Sequence, residues 1–309
     1  MQTADSEPST TPSFFSRDLA ARTTASDVDL QGTTVAYWTY EPVRTTPQTR
    51  TILVIHGFRG DHHGLLRVAD QLPEMRLIMP DLPGFGSSDA FADDGHSVRR
   101  YGQFISDFMA ALDLGPDTVL LGHSFGSIVA AHFVASHPGA VRPLILVNPI
   151  AAPALEGAKG AMTRLAVLYY RLSARLPRGL GLLLLRSGLI VRVMSMAMAK
   201  TKDKELLNFI HGQHHAYFSA FANRESLLES FTASVSSNVA EVAGELTLPV
   251  LLIAGEKDEI ALLKDQHKLA ALLPDVELDV IPGVGHLIHY ETPEPAAAFI
   301  RRFLKDHPA

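Results

Sequence analysis

The chain has 309 residues, 47% of them hydrophobic, enough to bury a sizeable core in one large domain or in a core with a smaller insert. A formal net charge of -6 without a long basic cluster gives no footprint for nucleic acid. The chain contains no cysteine, which excludes disulfides and thiolate-ligated metals.

Residues 1–26 are rich in Ser, Thr, Asp and Pro, lack sustained periodicity and are expected to form a flexible N-terminal arm, with Phe14 and Phe15 able to pack onto the body. The start is polar and acidic, without the basic opening and apolar core of a secretory signal, so a cytoplasmic protein is expected. Alternation over Thr33–Tyr40 predicts an antiparallel strand. Thr51–Ile55 has the character of a strand buried on both faces, and His56-Gly57-Phe58-Arg59-Gly60 follows at once. A helix over about 61–71 and a strand over 76–79 come next. The Pro/Gly/Ser loop 80–89 follows, in which Asp81 is expected to tie the backbone together. Residues 97–114 are helical by the spacing of Val98, Tyr101, Ile105, Phe108, Met109 and Leu112.

The chain is organised around Gly122-His123-Ser124-Phe125-Gly126. A short aliphatic run over 118–121 precedes it and helical spacing over 127–137 follows, which reads as strand, sharp turn, helix. A turn this tight strains its central residue and brings strand and helix so close that the positions two before and two after must be small. Gly122 and Gly126 fill both. Ser124 is thereby lifted clear of the sheet at a helix N-terminus, whose dipole favours developing negative charge. By itself the five-residue pattern also fits a glycine-rich turn that merely joins a strand to a helix.

After a strand at Leu144–Val147 the pattern breaks at Asn148-Pro149, and residues 151–244 carry helical segments rich in Leu, Met, Ala and Arg but no strand-like run. Within them, 180–199 is markedly apolar, but Gly181, Arg186, Gly188 and Arg192 interrupt it short of the ~20 apolar residues that span a bilayer. This stretch is expected to pack against the main domain, with some side chains lining a pocket for an apolar group; a face that touches lipid is a further reading. His211, His214 and His215 fall at i, i+3 and i+4 on one helix face, a metal-like spacing without a matching carboxylate or cysteine set. They are expected to be packing or surface histidines, and no metal or organic cofactor is expected. Strand character resumes over 249–253, and strands alternating with helices imply a mainly parallel, doubly wound sheet.

A serine hydroxyl needs a base within hydrogen-bond reach, itself held in one tautomer by a carboxylate. Two loops at later strand ends offer these groups on the same sheet edge as Ser124: 254–260 with Glu256, Asp258 and Glu259, and 282–289 with His286 and His289.

Residues 122–126 resemble the nucleophile elbow of the α/β-hydrolase superfamily, in its serine-nucleophile branch with a helical cap, the esterase- and lipase-like members. The resemblance runs over about 27–307, with the insert matched in position and helical character only. It implies an α/β-hydrolase fold, a doubly wound, mainly parallel sheet with a helical cap inserted after the sixth core strand. The core would comprise 27–150 and 245–309, and the cap 151–244. The family order of serine, acid, histidine makes Ser124, Asp258 and His286 the implied triad. The Gly-x-x-Asp pattern selects Asp258 over its neighbours, and Gly-x-Gly-His selects His286 over His289. The oxyanion hole would use the backbone N–H groups of Phe58 and Phe125, with His56, Gly57, Gly122 and Gly126 as support. Asn148 stands where some relatives keep the acid and cannot play that role.

A serine nucleophile argues against haloalkane dehalogenases and epoxide hydrolases. The implied activity is hydrolysis of a carboxylic ester of an apolar or acyl-type small molecule, through an acyl-enzyme on Ser124. Carbon-carbon bond or lactone hydrolysis would use the same triad, and a ligand-binding receptor on this fold is the alternative of another class. The motifs leave open the acyl group and the oligomeric state.

Overall fold

Short runs of aliphatic and β-branched residues set the sheet. The structure, a computed structural model, describes residues 14–16, 18–92, 95–153 and 160–308. The strands are β1 (Thr23–Leu30), β2 (Thr33–Tyr40), β3 (Thr51–Ile55), β4 (Arg76–Pro80), β5 (Val119–His123), β6 (Leu144–Val147), β7 (Val250–Gly255) and β8 (Val276–Ile281). They form one eight-stranded sheet in the order β1-β2-β4-β3-β5-β6-β7-β8. β2 pairs antiparallel with β1 and β4, and every other pairing is parallel.

The helices are α1 (Asp18–Ala21), α2 (Leu66–Asp70), α3 (Val98–Ala111), α4 (Phe125–Ser136), α5 (Gly160–Arg175), α6 (Arg178–Leu185), α7 (Gly188–Met198), α8 (Lys204–Tyr217), α9 (Arg224–Ser236), α10 (Leu263–Leu272), α11 (Ile288–Glu291) and α12 (Pro293–Asp306). Successive side chains of the central strands point to opposite faces, and each set has its own helical cover. Leu53, Ile55 and Leu120 lie in one core with Phe104, Phe108, Phe133 and Leu269 from α3, α4 and α10. Ile52, Val54, Val119 and Leu121 lie in the other with Val68, Ile300 and Phe303 from α2 and α12. This two-sided cover is why β5, β6 and β7 are buried at every residue and read as continuous apolar runs.

The stretch 1–26 departs from the expected arm at its C-terminal end, since α1 and the first residues of β1 fall inside it. β1 is an edge strand whose alternate residues Asp27 and Asp29 face solvent while Val28 and Leu30 turn inward, so its composition is that of a loop. The hairpin to β2 closes through Gln31 and Gly32, at φ 56° and 85°. Residues 1–13 and 17 lie outside the described residues. Phe14 and Phe15 do pack on the body, against the Phe209 ring at 4.6 and 5.7 Å. The helix expected over 61–71 is shorter: a 3-10 turn at His62–Leu65, capped by the Asp61 side chain, leads into α2.

Between β6 and β7 the described residues form helices, α5–α9, short 3-10 turns and a single antiparallel bridge of Phe221 to Phe85, with no strand. They are fastened to the sheet side by Gly86 N to Ala220 O (2.8 Å), Ala222 N to Gly84 O (3.0 Å) and Val239 N to Ile150 O (2.9 Å). The parallel strands end on one edge, where the loops carrying His56 to Arg59, Ser124, Asn148, Asp258 and His286 meet.

Candidate active site

Ser124 joins β5 to α4 at φ 52° and ψ -116°, outside the regions an L-residue normally adopts. Such strain costs roughly 1–3 kcal/mol and persists only where the surroundings enforce it. Here they do: a Cβ on Gly122 would run into the Gly126 carbonyl, and one on Gly126 into the Ile55 carbonyl. Ser124 N donates to Val147 O at 3.0 Å, and its carbonyl accepts from Ser127 N at 2.9 Å. Ser124 is partly buried, whereas its neighbours Gly122, His123, Phe125 and Gly126 are buried.

Ser124 Oγ lies 2.8 Å from His286 Nε2, and His286 Nδ1 lies 2.7 Å from Asp258 Oδ2. Asp258 Oδ1 accepts from Ile260 N (2.7 Å) and Ala261 N (2.9 Å), and Oδ2 also accepts from Asn148 Nδ2 (2.8 Å). A carboxylate only accepts, so Nδ1 carries the proton and Nε2 is left to accept from the serine O–H. Burial alone would raise the Asp258 carboxyl; His286 and the two backbone N–H groups outweigh it and hold the group below the usual carboxylate range. The acid and histidine loops are joined by Lys257 N to Val284 O (2.8 Å) and by Gly255, where any Cβ would meet the Gly285 carbonyl.

The His56-Gly57 turn backs directly onto the elbow: a Cβ at Gly57 would stand 3.2 Å from Ser124 Cβ. His56 clamps it, accepting from Leu82 N at Nε2 (2.8 Å) and donating from Nδ1 to the Gly57 carbonyl (2.8 Å). Complete burial keeps that imidazole neutral by pushing its pKa down. Phe58 N–H follows this turn, and Phe125 is the first residue of α4, so its N–H has no intrahelical acceptor. The Phe58 ring faces Phe85, Tyr170 and Phe231 at 5.8–5.9 Å, and Tyr170 and Phe231 stack at 3.9 Å. Aromatic rings from the core and from α5 and α9 thus pack around Phe58, the residue after the Gly57 turn.

Sequence reasoning did not foresee what Arg59 and His289 touch. Arg59, buried at φ 60°, donates to Phe218 O (2.9 Å), Leu185 O (2.7 Å) and Tyr170 Oη (3.3 Å), tying the oxyanion-side loop to the inserted helices. His289 lies 4.2 Å from the His123 ring, which in turn lies 5.5 Å from His286. A lone histidine or arginine carries no local signal for such placement; each partner is distant in sequence. Asp81 ties its loop as expected, accepting from His62 N and Nδ1 at Oδ1 and from Ser87 N at Oδ2.

His211 and His214 converge on the Ser195 hydroxyl at 2.6 and 2.7 Å, while His215 is exposed. The donors of Asp61, His62 and His63 also converge. Asp61 caps the 3-10 turn, and His62 bonds Asp81 and stacks on Trp38 at 3.3 Å, so these groups already serve the fold. A cavity of about 740 Å3 opens between α3, α4 and α9, lined by His96, His132 and Glu229 among others, and includes none of the serine, histidine or acid residues above.

The family model described as the alpha/beta hydrolase fold matches residues 50–293. Lipase 3 of Moraxella sp. is 21% identical over 255 residues, 82% of this chain and 76% of that protein. Lipase 1 of Psychrobacter immobilis is 21% identical over 257 residues, with the same coverage of 82% and 76%. Among solved structures, a thermophilic esterase from Thermogutta terrifontis superposes with a TM-score of 0.72 at 22% identity, covering 92% of this chain and 98% of that one.

Proposed function

This chain belongs to the α/β-hydrolase family, among lipase- and esterase-like relatives, and from that premise we propose that it is a serine hydrolase cleaving the carboxylic ester of an apolar or acyl-type small molecule. The observation that carries the proposal is the relay of Ser124 Oγ to His286 Nε2 at 2.8 Å and His286 Nδ1 to Asp258 Oδ2 at 2.7 Å, on a strained turn at a helix N-terminus.

In this reading His286 takes the Ser124 proton as the oxygen attacks the ester carbonyl, and the Asp258 carboxylate stabilises the imidazolium. The developing oxyanion is held by the N–H groups of Phe58 and Phe125, at the positive end of α4. His286 then protonates the leaving alcohol and activates water to release the acid from Ser124. The helices of 151–244 act as a cap, and the aromatic rings of Phe58, Phe85, Tyr170 and Phe231 receive the apolar part of the ester. Two lipases among the relatives support an acyl substrate.

The test is release of p-nitrophenol from p-nitrophenyl esters of increasing acyl length by the parent and by Ser124→Ala. Repeated turnover by the parent and a loss on the order of 10^4-fold or more in the variant are expected, with the optimum length sizing the pocket. No activity above buffer from a folded parent would overturn the ester reading.

A further inference from the structure

Among the described residues, eleven large apolar side chains are at least half exposed, and eight of them sit on three consecutive helices: Leu165, Leu168 and Leu172 on α5, Leu180 and Leu183 on α6, and Leu189, Val193 and Met196 on α7. Each set is one helical stripe, at i, i+3, i+7 on α5, i, i+3 on α6 and i, i+4, i+7 on α7. The opposite side of each helix is the buried one. Tyr170 and Ser173 of α5, Gly181 and Leu185 of α6, and Val191 and Ser195 of α7 face inward. The outward stripes are therefore not core residues in a poorly packed region; the inward faces already have their partners.

The charge on the same segment is one-sided. Residues 157–202 hold nine of the chain's 27 Lys and Arg and none of its 33 Asp and Glu, in a protein of net charge -6. Arg164, Arg171, Arg175 and Arg192 are exposed beside the apolar stripes, while Arg178 pairs with Glu225 at 3.5 Å and Arg186 lies over the Phe221 ring at 5.0 Å. A broad apolar face with a cationic margin is the pattern of a helix that lies in a membrane interface, with aliphatic side chains among the acyl chains and arginines at the headgroups.

The geometry argues against spanning. The apolar run over Arg178–Met198 is mostly exposed, with Gly181, Leu185, Val191 and Ser195 its buried residues. It is broken at Arg186-Ser187 into helices of 8 and 11 residues. These are about 12 and 16 Å long at 1.5 Å per residue, against a hydrocarbon core of about 30 Å. α7 is also pinned on its inner side by Ser195 to His211 and His214. A second copy of the chain fits the face poorly, because a two-fold contact would set this cationic margin against itself.

We propose that the outer face of α5–α7 docks on an anionic lipid bilayer. The docked helices are attached to the catalytic edge at both ends. Leu185 O, at the end of α6, accepts from Arg59 beside Phe58, and the end of α7 sits on Gly285 beside His286, with Lys200 N bonded to Glu291. Docking would thus hold the candidate active site next to the lipid surface. The claim goes beyond the hydrolytic reading and stands without it.

The test is co-sedimentation of the Ser124→Ala protein with vesicles of phosphatidylcholine alone and of phosphatidylcholine with phosphatidylglycerol, so that lipid turnover does not alter the vesicles. Binding to the phosphatidylglycerol vesicles that weakens with added salt is expected. In the Ser124→Ala background, replacing Leu183, Leu189 and Val193 together by serine should reduce it about tenfold per side chain. Replacing Arg171, Arg175 and Arg192 by glutamine should remove the preference for anionic lipid, about fivefold per arginine. All these positions are exposed, so both variants should keep the melting temperature of the Ser124→Ala protein. Absence of vesicle binding, or binding unchanged in both variants, overturns the proposal. So does a parent dimer that the serine variant dissociates without any vesicle binding, which would make the face a contact between copies.

Discussion

Asn148 shows how much a single side chain can do at the proposed centre without reacting. It follows β6 at φ 46° and, besides donating to Asp258 Oδ2 at 2.8 Å, reaches the Gly285 carbonyl at 3.4 Å. Sequence reasoning excludes Asn148 as the acid; what it misses is that the amide completes the acid's shell, because Asp258 lies 110 residues away. With His286 and the two backbone N–H groups, this amide fixes which oxygen faces the imidazole. A hydrogen bond to a charged group contributes about 1.5–3 kcal/mol, so Asn148→Ala should lower kcat on the best ester about tenfold or more with KM little changed. Steady-state kinetics decide it, and an unchanged kcat would remove Asn148 from the positioning role. Asn148→Asp should be worse than Asn148→Ala, because it sets a second negative charge against Asp258.

At the scale of elements, the legible parts of the chain were those whose signal is local. The elbow declares itself because two glycines and a strand-to-helix change fall within a few residues, and the central strands declare themselves by being apolar at every position. β1 did not, because an edge strand with one solvated face looks like a loop until β2 is beside it. Arg59 did not either, because its meaning lies in acceptors on α6 and after α8, more than a hundred residues on. Two predictions follow from these placements. Gly126→Ala has no room against the Ile55 carbonyl, so the elbow must shift or the fold loosen; a loss of about 3 kcal/mol or more is expected, read as a lower urea midpoint. Arg59→Met strands the Phe218 and Leu185 carbonyls and the Tyr170 hydroxyl, each costing about 1–3 kcal/mol if water does not replace it. Hydrogen exchange should then rise in α6 and α8 while β5 and β6 stay protected. Uniform loosening of sheet and helices together would show that Arg59 supports the whole fold and not the joint between the inserted helices and the oxyanion-side loop.

The molecule as a whole keeps several imidazoles where water cannot reach them, and this sets how it responds to acid. Burial pushes His123 and His214 from the ordinary 6.5 down to about 3, and His289 well below 6.5, with His286 beside His123, His211 beside His214 and His123 beside His289 adding to the effect. In the unfolded chain these groups take up protons near 6.5; in the fold they do not. Their folded pKa values are lowered, so their contribution is fully present above about pH 6.5 and is lost as pH falls toward 3. Asp258, also lowered, acts in the same direction at more acid pH, whereas Glu291, raised by burial, acts in the opposite direction and is one group against several. At about pH 5 each such histidine costs on the order of 2 kcal/mol relative to about pH 7. The urea midpoint should therefore drop between those two values, with net proton uptake on unfolding. His289→Leu removes one of the protons taken up without removing a hydrogen bond at Nδ1, which has no partner, so it should flatten the pH dependence. A midpoint that rises on acidification, or a slope that His289→Leu leaves unchanged, would show that these imidazoles are not held neutral by the fold.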